Sequence, residues 1–117
     1  MSSVLPRAHR SALASFRCGT APIRLETGRY ENLPEKRRTC PFCPNIIESE
    51  QHVLISCPVY DDIRDDLFNA AESAYPDFIH LSEADKLTLI LSGELLVTRS
   101  ARACRNILNH RNGLIYR

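Results

Sequence analysis

Apolar and polar positions change their period several times along these 117 residues, and each change marks an element. In SALASFRC, Leu13 and Phe16 recur at helical spacing with alanines between them. That predicts a short helix opening near Pro6 or Ser11 and ending at Gly19. TAPIRLETGRY then alternates, Ile23, Leu25 and Thr27 against Arg24 and Glu26, between Pro22 and Gly28. Period two predicts a short strand or an extended arm. NLPEKRRT reads as a polar, basic connector.

Helical periodicity returns at Val59, Ile63, Leu67 and Ala70/Ala71, a stripe that stops before Pro76. Pro58 suits a first turn, where its missing N–H costs nothing. Asp61, Asp62, Asp65 and Asp66 put in the early turns the charge that a helix N-terminus favours. SEADKLTLILSG predicts the next helix, with Ser82 as N-cap, Asp85 three residues on, and Gly93 as its stop. A third runs from about Glu94 to His110 and buries Leu95, Leu96, Ala103, Cys104 and Ile107/Leu108. Asn112-Gly113 breaks the pattern into a tail.

Composition adds limits. A 44% hydrophobic share with 25% charged residues is ordinary for a globular domain, and the length is that of one domain. Nothing approaches the roughly 18 consecutive apolar residues of a membrane span. MSSVLPRAHRSALASFR lacks the apolar stretch of a secretory leader, so the expected setting is intracellular, nucleus or cytoplasm, away from membranes. The net charge of +1 hides segregation: residues 1–43 carry eight Lys/Arg against three Glu. Residues 44–94 set eleven acids against Arg64 and Lys86, and residues 95–117 hold five arginines and no acid. Either the basic ends neutralise the acidic middle, or a basic face remains for phosphates.

The chemistry concentrates in CPFCPNIIESEQHVLISC, a C-x2-C-x8-H-x4-C frame. Zn²⁺ takes four Cys or His ligands tetrahedrally. Cys40 and Cys43 supply two of them through a tight turn whose backbone N–H groups can aim at the first thiolate and which Pro41 and Pro44 stiffen. His52 and Cys57 reach the same ion through one helical turn plus a residue, or through a short strand-to-helix step. Ile46, Ile47, Val53 and Leu54 are available to pack around the loop. Three thiolates and an imidazole sum to −1 with the ion, a charge that Arg37 and Arg38 would offset. Four protein ligands leave no open position, so the site would be structural. The alternatives are incidental cysteines, or a Cys40–Cys43 or Cys43–Cys57 disulfide; an intracellular chain favours the metal. Cys18 and Cys104 sit in apolar helical contexts and read as small core residues. His9, His80 and His110 lack companion ligands and read as surface or capping residues.

The run RTCPFCPNIIESEQHVLISCPVYDDIRDDLF resembles the zinc-binding region near the C-terminus of non-LTR (LINE-type) retrotransposon reverse transcriptases. The positions that match are Cys40, Pro41, Cys43, Glu48, Glu50, His52, Val53, Leu54, Cys57, Pro58, Tyr60 and Arg64. FRCGTAPIRLETGRYENLP upstream and LSEADKLTLILSG downstream are similar to the flanking segments of such elements, so the resemblance covers about Leu13 to Cys104. It implies a zinc-supported module for nucleic-acid binding or particle assembly, downstream of a polymerase domain.

Together these readings predict a mainly α domain with a small zinc knuckle over residues 1–117. It divides into a basic N-terminal helix and arm (1–39), a CCHC zinc loop (40–57), a part of about three helices (58–111) and a tail (112–117). The YDD at 60–62 is not expected to be a polymerase signature, since two-metal chemistry needs a third carboxylate and a nucleotide-binding fold. With no nucleophile–base constellation either, the expectation is a non-enzyme. Arg24, Arg29, Lys36, Arg37 and Arg38 are candidate phosphate contacts for single-stranded RNA or DNA, with Phe42 or Tyr30 stacking on an unpaired base. Arg99, Arg102 and Arg105 share a helical face and form a second basic strip or pair with the acidic middle. The competing reading is a zinc-stabilised structural or interaction module, docking on a polymerase domain or another protein.

Overall fold

The computed structural model describes residues 6–23, 31–32, 34, 37–43 and 45–115. Arg24, Arg29, Tyr30 and Lys36, with the alternating arm, lie outside them. The fold is mainly helical, and no strand occurs among the described residues. No helix among them is long and apolar enough to cross a membrane.

The first helix, α1 (Arg7–Cys18), follows Pro6 and stops at Gly19, whose φ of 68° is the left-handed cap that glycine adopts without strain. It buries Ala12, Leu13 and Phe16. Cys18 lies about 200° around the helix from Phe16, at 100° per residue, and is exposed rather than part of the core. A 3-10 turn, Pro58–Tyr60, leads into α2 (Asp61–Ala74), with Asp61 and Asp62 in its first turn as expected of helix N-terminal acids. Of its stripe, Leu67 and Ala71 are buried, while Val59, Ile63 and Ala70 are half-buried.

Another turn, Phe78–His80, precedes α3 (Glu83–Ser92). Ser82 caps it by accepting the Asp85 N–H at 3.2 Å. Gly93 ends α3 with φ −70°, so no left-handed conformation requires it. Close approach does: a Cβ there would stand 2.6 Å from the Leu89 carbonyl oxygen. After Gly93 the chain makes a separate 3-10 turn, Glu94–Leu96. That turn buries Leu96 but leaves Leu95 69% exposed, against the expectation that both face the core.

The last helix, α4, runs Val97–Ile115 and passes through Asn112-Gly113 without breaking. An αR glycine costs a helix only about 1 kcal/mol, and Arg111 anchors this end from the turn before. Helix α4 packs against α1, α2 and α3 and is the axis of the fold. Its Ala101, Ala103, Cys104, Ile107 and Leu108 share one core with Phe16, Leu67 and Ile90. Val53, Leu54, Cys57 and Tyr60 from the Cys/His segment belong to the same core. The knuckle is therefore built into the bundle, each large buried side chain contributing about 1.5–3 kcal/mol.

Candidate metal centre

The two sides of the Cys40–Cys43 turn are held by short backbone pairing. Thr39 and Ile47 form an antiparallel bridge, flanked by Cys40 N–H to Ile46 C=O at 2.7 Å and Glu48 N–H to Arg38 C=O at 3.0 Å. Asn45 closes the loop at φ 62°, a left-handed conformation that asparagine tolerates better than most residues. The backbone N–H groups of Phe42 and Cys43 point at the Cys40 sulfur, as expected of a thiolate-holding turn.

His52 and Cys57 come together through a π-helical turn, His52–Ser56. Residues five apart on an α-helix lie about 140° apart around the axis, too far to share an ion. Here the Cys57 N–H reaches back to the His52 C=O at 2.7 Å, so the wider turn closes between the two ligand residues themselves. Of the two routes open in the sequence, the chain takes the helical turn with one added residue.

The four side chains converge. One ligand atom from each of Cys40, Cys43, His52 and Cys57 lies within 4.8 Å of the others, and all four residues are buried. Cys57 Sγ stands 4.0 Å from Cys40 Sγ and 3.8 Å from Cys43 Sγ. A disulfide needs about 2.05 Å, so these cysteines are not bridged. Tetrahedral bonds of about 2.3 Å from a metal to sulfur place two sulfurs about 3.8 Å apart, which matches the observed spacing. His52 Nε2 is buried with no hydrogen-bond partner among the described residues, as a ligand nitrogen would be.

Burial raises the Cys40 thiol pKa and pushes the Cys57 thiol up to about 12, outweighing the backbone N–H groups that favour the thiolates. Burial likewise lowers the His52 imidazole below its usual value. Arg37 is exposed and Arg38 half-buried. Arg64 stands beside the Cys57 thiol.

Arg64 also closes the end of the π turn. Its Nε donates to the Leu54 C=O at 3.0 Å, and its Nη2 to the Val53 C=O at 3.1 Å and the Cys57 C=O at 2.7 Å. Nη1 meets Asp61 Oδ1 at 2.7 Å. One buried guanidinium thus serves three carbonyls around the end of the turn, of which the Cys57 C=O also accepts the Tyr60 N–H at 3.3 Å. Spacing gave no hint of this role, although Arg64 and Pro58 sit at matched positions of the resemblance.

A second arginine ties the knuckle to α4. Arg111 donates Nε to Glu48 Oε2 at 2.9 Å and Nη2 to Oε1 at 2.7 Å, both side chains being buried. Tyr60, also buried, packs edge-on to Phe42 at 6.5 Å and to His110 at 6.0 Å between ring centroids. Phe42 is half-buried in this contact. Val53 and Leu54 pack inside as expected; Ile46 remains 46% exposed. A groove of about 860 Å³ over the knuckle is lined by Phe42, Ile46, Ile47 and Pro58, with Gln51 and Glu83 at its polar side.

Arg99 and Arg102 are both held by Asp66, at 3.2 and 3.0 Å, so they pair with the acidic middle of the chain. Among known proteins, no family model, no curated protein and no solved structure matches the chain.

Proposed function

We propose that this chain is a non-catalytic, zinc-stabilised module that binds nucleic acid, related to the zinc-binding region of non-LTR retrotransposon reverse transcriptases. The observation that carries the zinc assignment is the convergence of four buried ligand atoms within 4.8 Å, at sulfur separations a tetrahedral ion requires. Bound there, Zn²⁺ would supply cross-linking of the loop and no open coordination position. Cys40, Cys43 and Cys57 would bind as thiolates and His52 as neutral imidazole, the state its burial already favours.

Relation to the retrotransposon region is supported by the matched positions from Cys40 to Arg64, and Arg64 gives that pattern's arginine a physical purpose. Nucleic-acid binding is supported by the excess of basic residues in 1–43 and by the exposure of Arg37 next to the knuckle. Its test is a titration of labelled single-stranded RNA and of duplex DNA with zinc-loaded protein across salt. Binding whose log affinity falls linearly with log salt, weakened by Arg37→Ala, is expected. An absence of binding even at low salt would overturn it.

A second reading, protein interaction without nucleic acid, is favoured by one observation. The groove over the knuckle presents apolar side chains and Glu83, a surface suited to a peptide rather than to phosphate.

A further inference from the structure

Neither α1 nor α4 contains an acidic residue, and the two make the most extensive helix–helix contact in the fold. Between them they carry Arg7, Arg10 and Arg17 on α1 and Arg99, Arg102, Arg105 and Arg111 on α4. Four of these have structural work. Arg17 donates to the Leu91 C=O, Arg99 and Arg102 hold Asp66, and Arg111 holds Glu48. Arg7, Arg10 and Arg105 are exposed and make no side-chain hydrogen bond or ion pair among the described residues.

Arg7 and Arg105 line one groove of about 550 Å³ between the two helices, floored by Ala8, Ser11, Ala12 and Ser15. The small floor admits a chain close to both helices. It has no aromatic pocket of the kind that anchors a protein partner. Leu108 adds an apolar wall and Ser15 Oγ donates to the Ala12 C=O, so what the groove offers a phosphate oxygen is the Arg7 and Arg105 guanidinium charge and the Ser11 hydroxyl. The first turn of α1 strengthens the argument. It carries Arg7 and Arg10 with no acid and no side-chain cap, the reverse of what a helix N-terminus favours, and an anion beside it would correct that imbalance.

We propose that the α1–α4 groove is where the chain holds a single-stranded nucleic-acid backbone, with Arg7 and Arg105 as its phosphate contacts. The proposal rests on the nucleic-acid reading above and moves its centre from the knuckle to the groove between α1 and α4, where an arginine from each of the two basic segments lines one surface.

The test uses the full, zinc-loaded chain and a fluorescein-labelled oligouridine, titrated at several salt concentrations. Arg7→Gln/Arg105→Gln should weaken binding about tenfold at low salt and flatten the salt slope by about 1.4, the share of two phosphate contacts on a single strand. Ala8→Glu, an exposed acid-for-alanine change near the start of α1, should weaken binding without lowering thermal stability. If the wild-type chain binds and both variants keep its affinity and slope, the groove is refuted while the nucleic-acid reading stands. If the wild-type chain does not bind, both are refuted. Polyglutamate competing as well as unlabelled oligouridine would assign the groove to an acidic protein and overturn the proposal as well.

Discussion

Glu48 and Arg111, 63 positions apart, meet in a buried two-bond ion pair with N···O distances of 2.9 and 2.7 Å. One partner belongs to the knuckle and the other to the penultimate turn of α4, so the pair fastens the metal loop to the end of the longest helix. A buried pair need not stabilise relative to apolar residues of the same shape, but losing one member strands a charge. Glu48→Ala is therefore expected to cost about 3–5 kcal/mol in urea unfolding of the zinc-loaded protein, and Glu48→Gln/Arg111→Met much less. Equal losses for the single and the double variant would show that the charge pairing is unimportant.

Arg64→Lys is the sharper probe of the π turn. An ammonium has three donors from one point and cannot reach the carbonyls of Val53, Leu54 and Cys57 as the planar guanidinium does. Hydrogen bonds that orient ligating residues set affinity at the metal, so zinc binding should weaken about 10–100-fold in competition with a chromogenic chelator. An unchanged zinc affinity would mean that the metal, and not Arg64, shapes the turn.

These two arginines mark the limit of what could be read before the fold was known. The four residues that could hold a metal were legible because such spacing is a local property: two residues between cysteines make a turn, and four between His52 and Cys57 make one wide helical turn. The caps, Ser82 and Gly19, were legible for the same reason. Glu48–Arg111 was not, since nothing local tells an acid in a polar loop which distant cation it will meet. Leu95 and Cys18 were misread because apolar character was taken as burial, whereas the 3-10 turn after Gly93 and the angular position on α1 decided exposure. At Asn112-Gly113 tertiary anchoring through Arg111 outweighed a weak local breaker.

Removing the metal should loosen the knuckle and weaken the bundle, since Val53, Leu54 and Cys57 share one core with helices α1 to α4. Purified without chelator, the protein is expected to contain one zinc per chain by elemental analysis. Stripping it should lower the melting temperature by about 15 °C, for a loss of a few kcal/mol in a domain of this size. Cys43→Ser should reproduce that loss and abolish the visible absorption of a tetrahedral cobalt–thiolate centre after Co²⁺ substitution. Metal-free protein melting at the same temperature as metal-loaded protein would remove the structural role.

Cys104 and Cys18 provide a contrast of environments within one chain. Cys104 is fully buried in α4, and burial pushes its thiol up to about 12, whereas Cys18 is exposed at the end of α1. A thiol reagent on the zinc-loaded protein at neutral pH should modify Cys18 rapidly and Cys104 only on unfolding. The same shift has a pH consequence. The unfolded thiol ionises near its ordinary 9.0 and the folded one only near 12, so the folded state binds the extra proton between those values. Stability from this group is therefore complete below about pH 9 and declines as pH rises toward 12, by up to about 1.4 kcal/mol per pH unit. Tyr60, whose phenol is also raised by burial, adds a decline of the same sign at higher pH. Cys104→Ala removes one of these contributions, which the buried Cys40 and Cys57 thiols of the metal-free chain share. Urea unfolding between pH 8 and about pH 11 should then fall less steeply for Cys104→Ala than for wild type, and parallel curves would show that Cys104 ionises as freely in the folded chain as in the unfolded one.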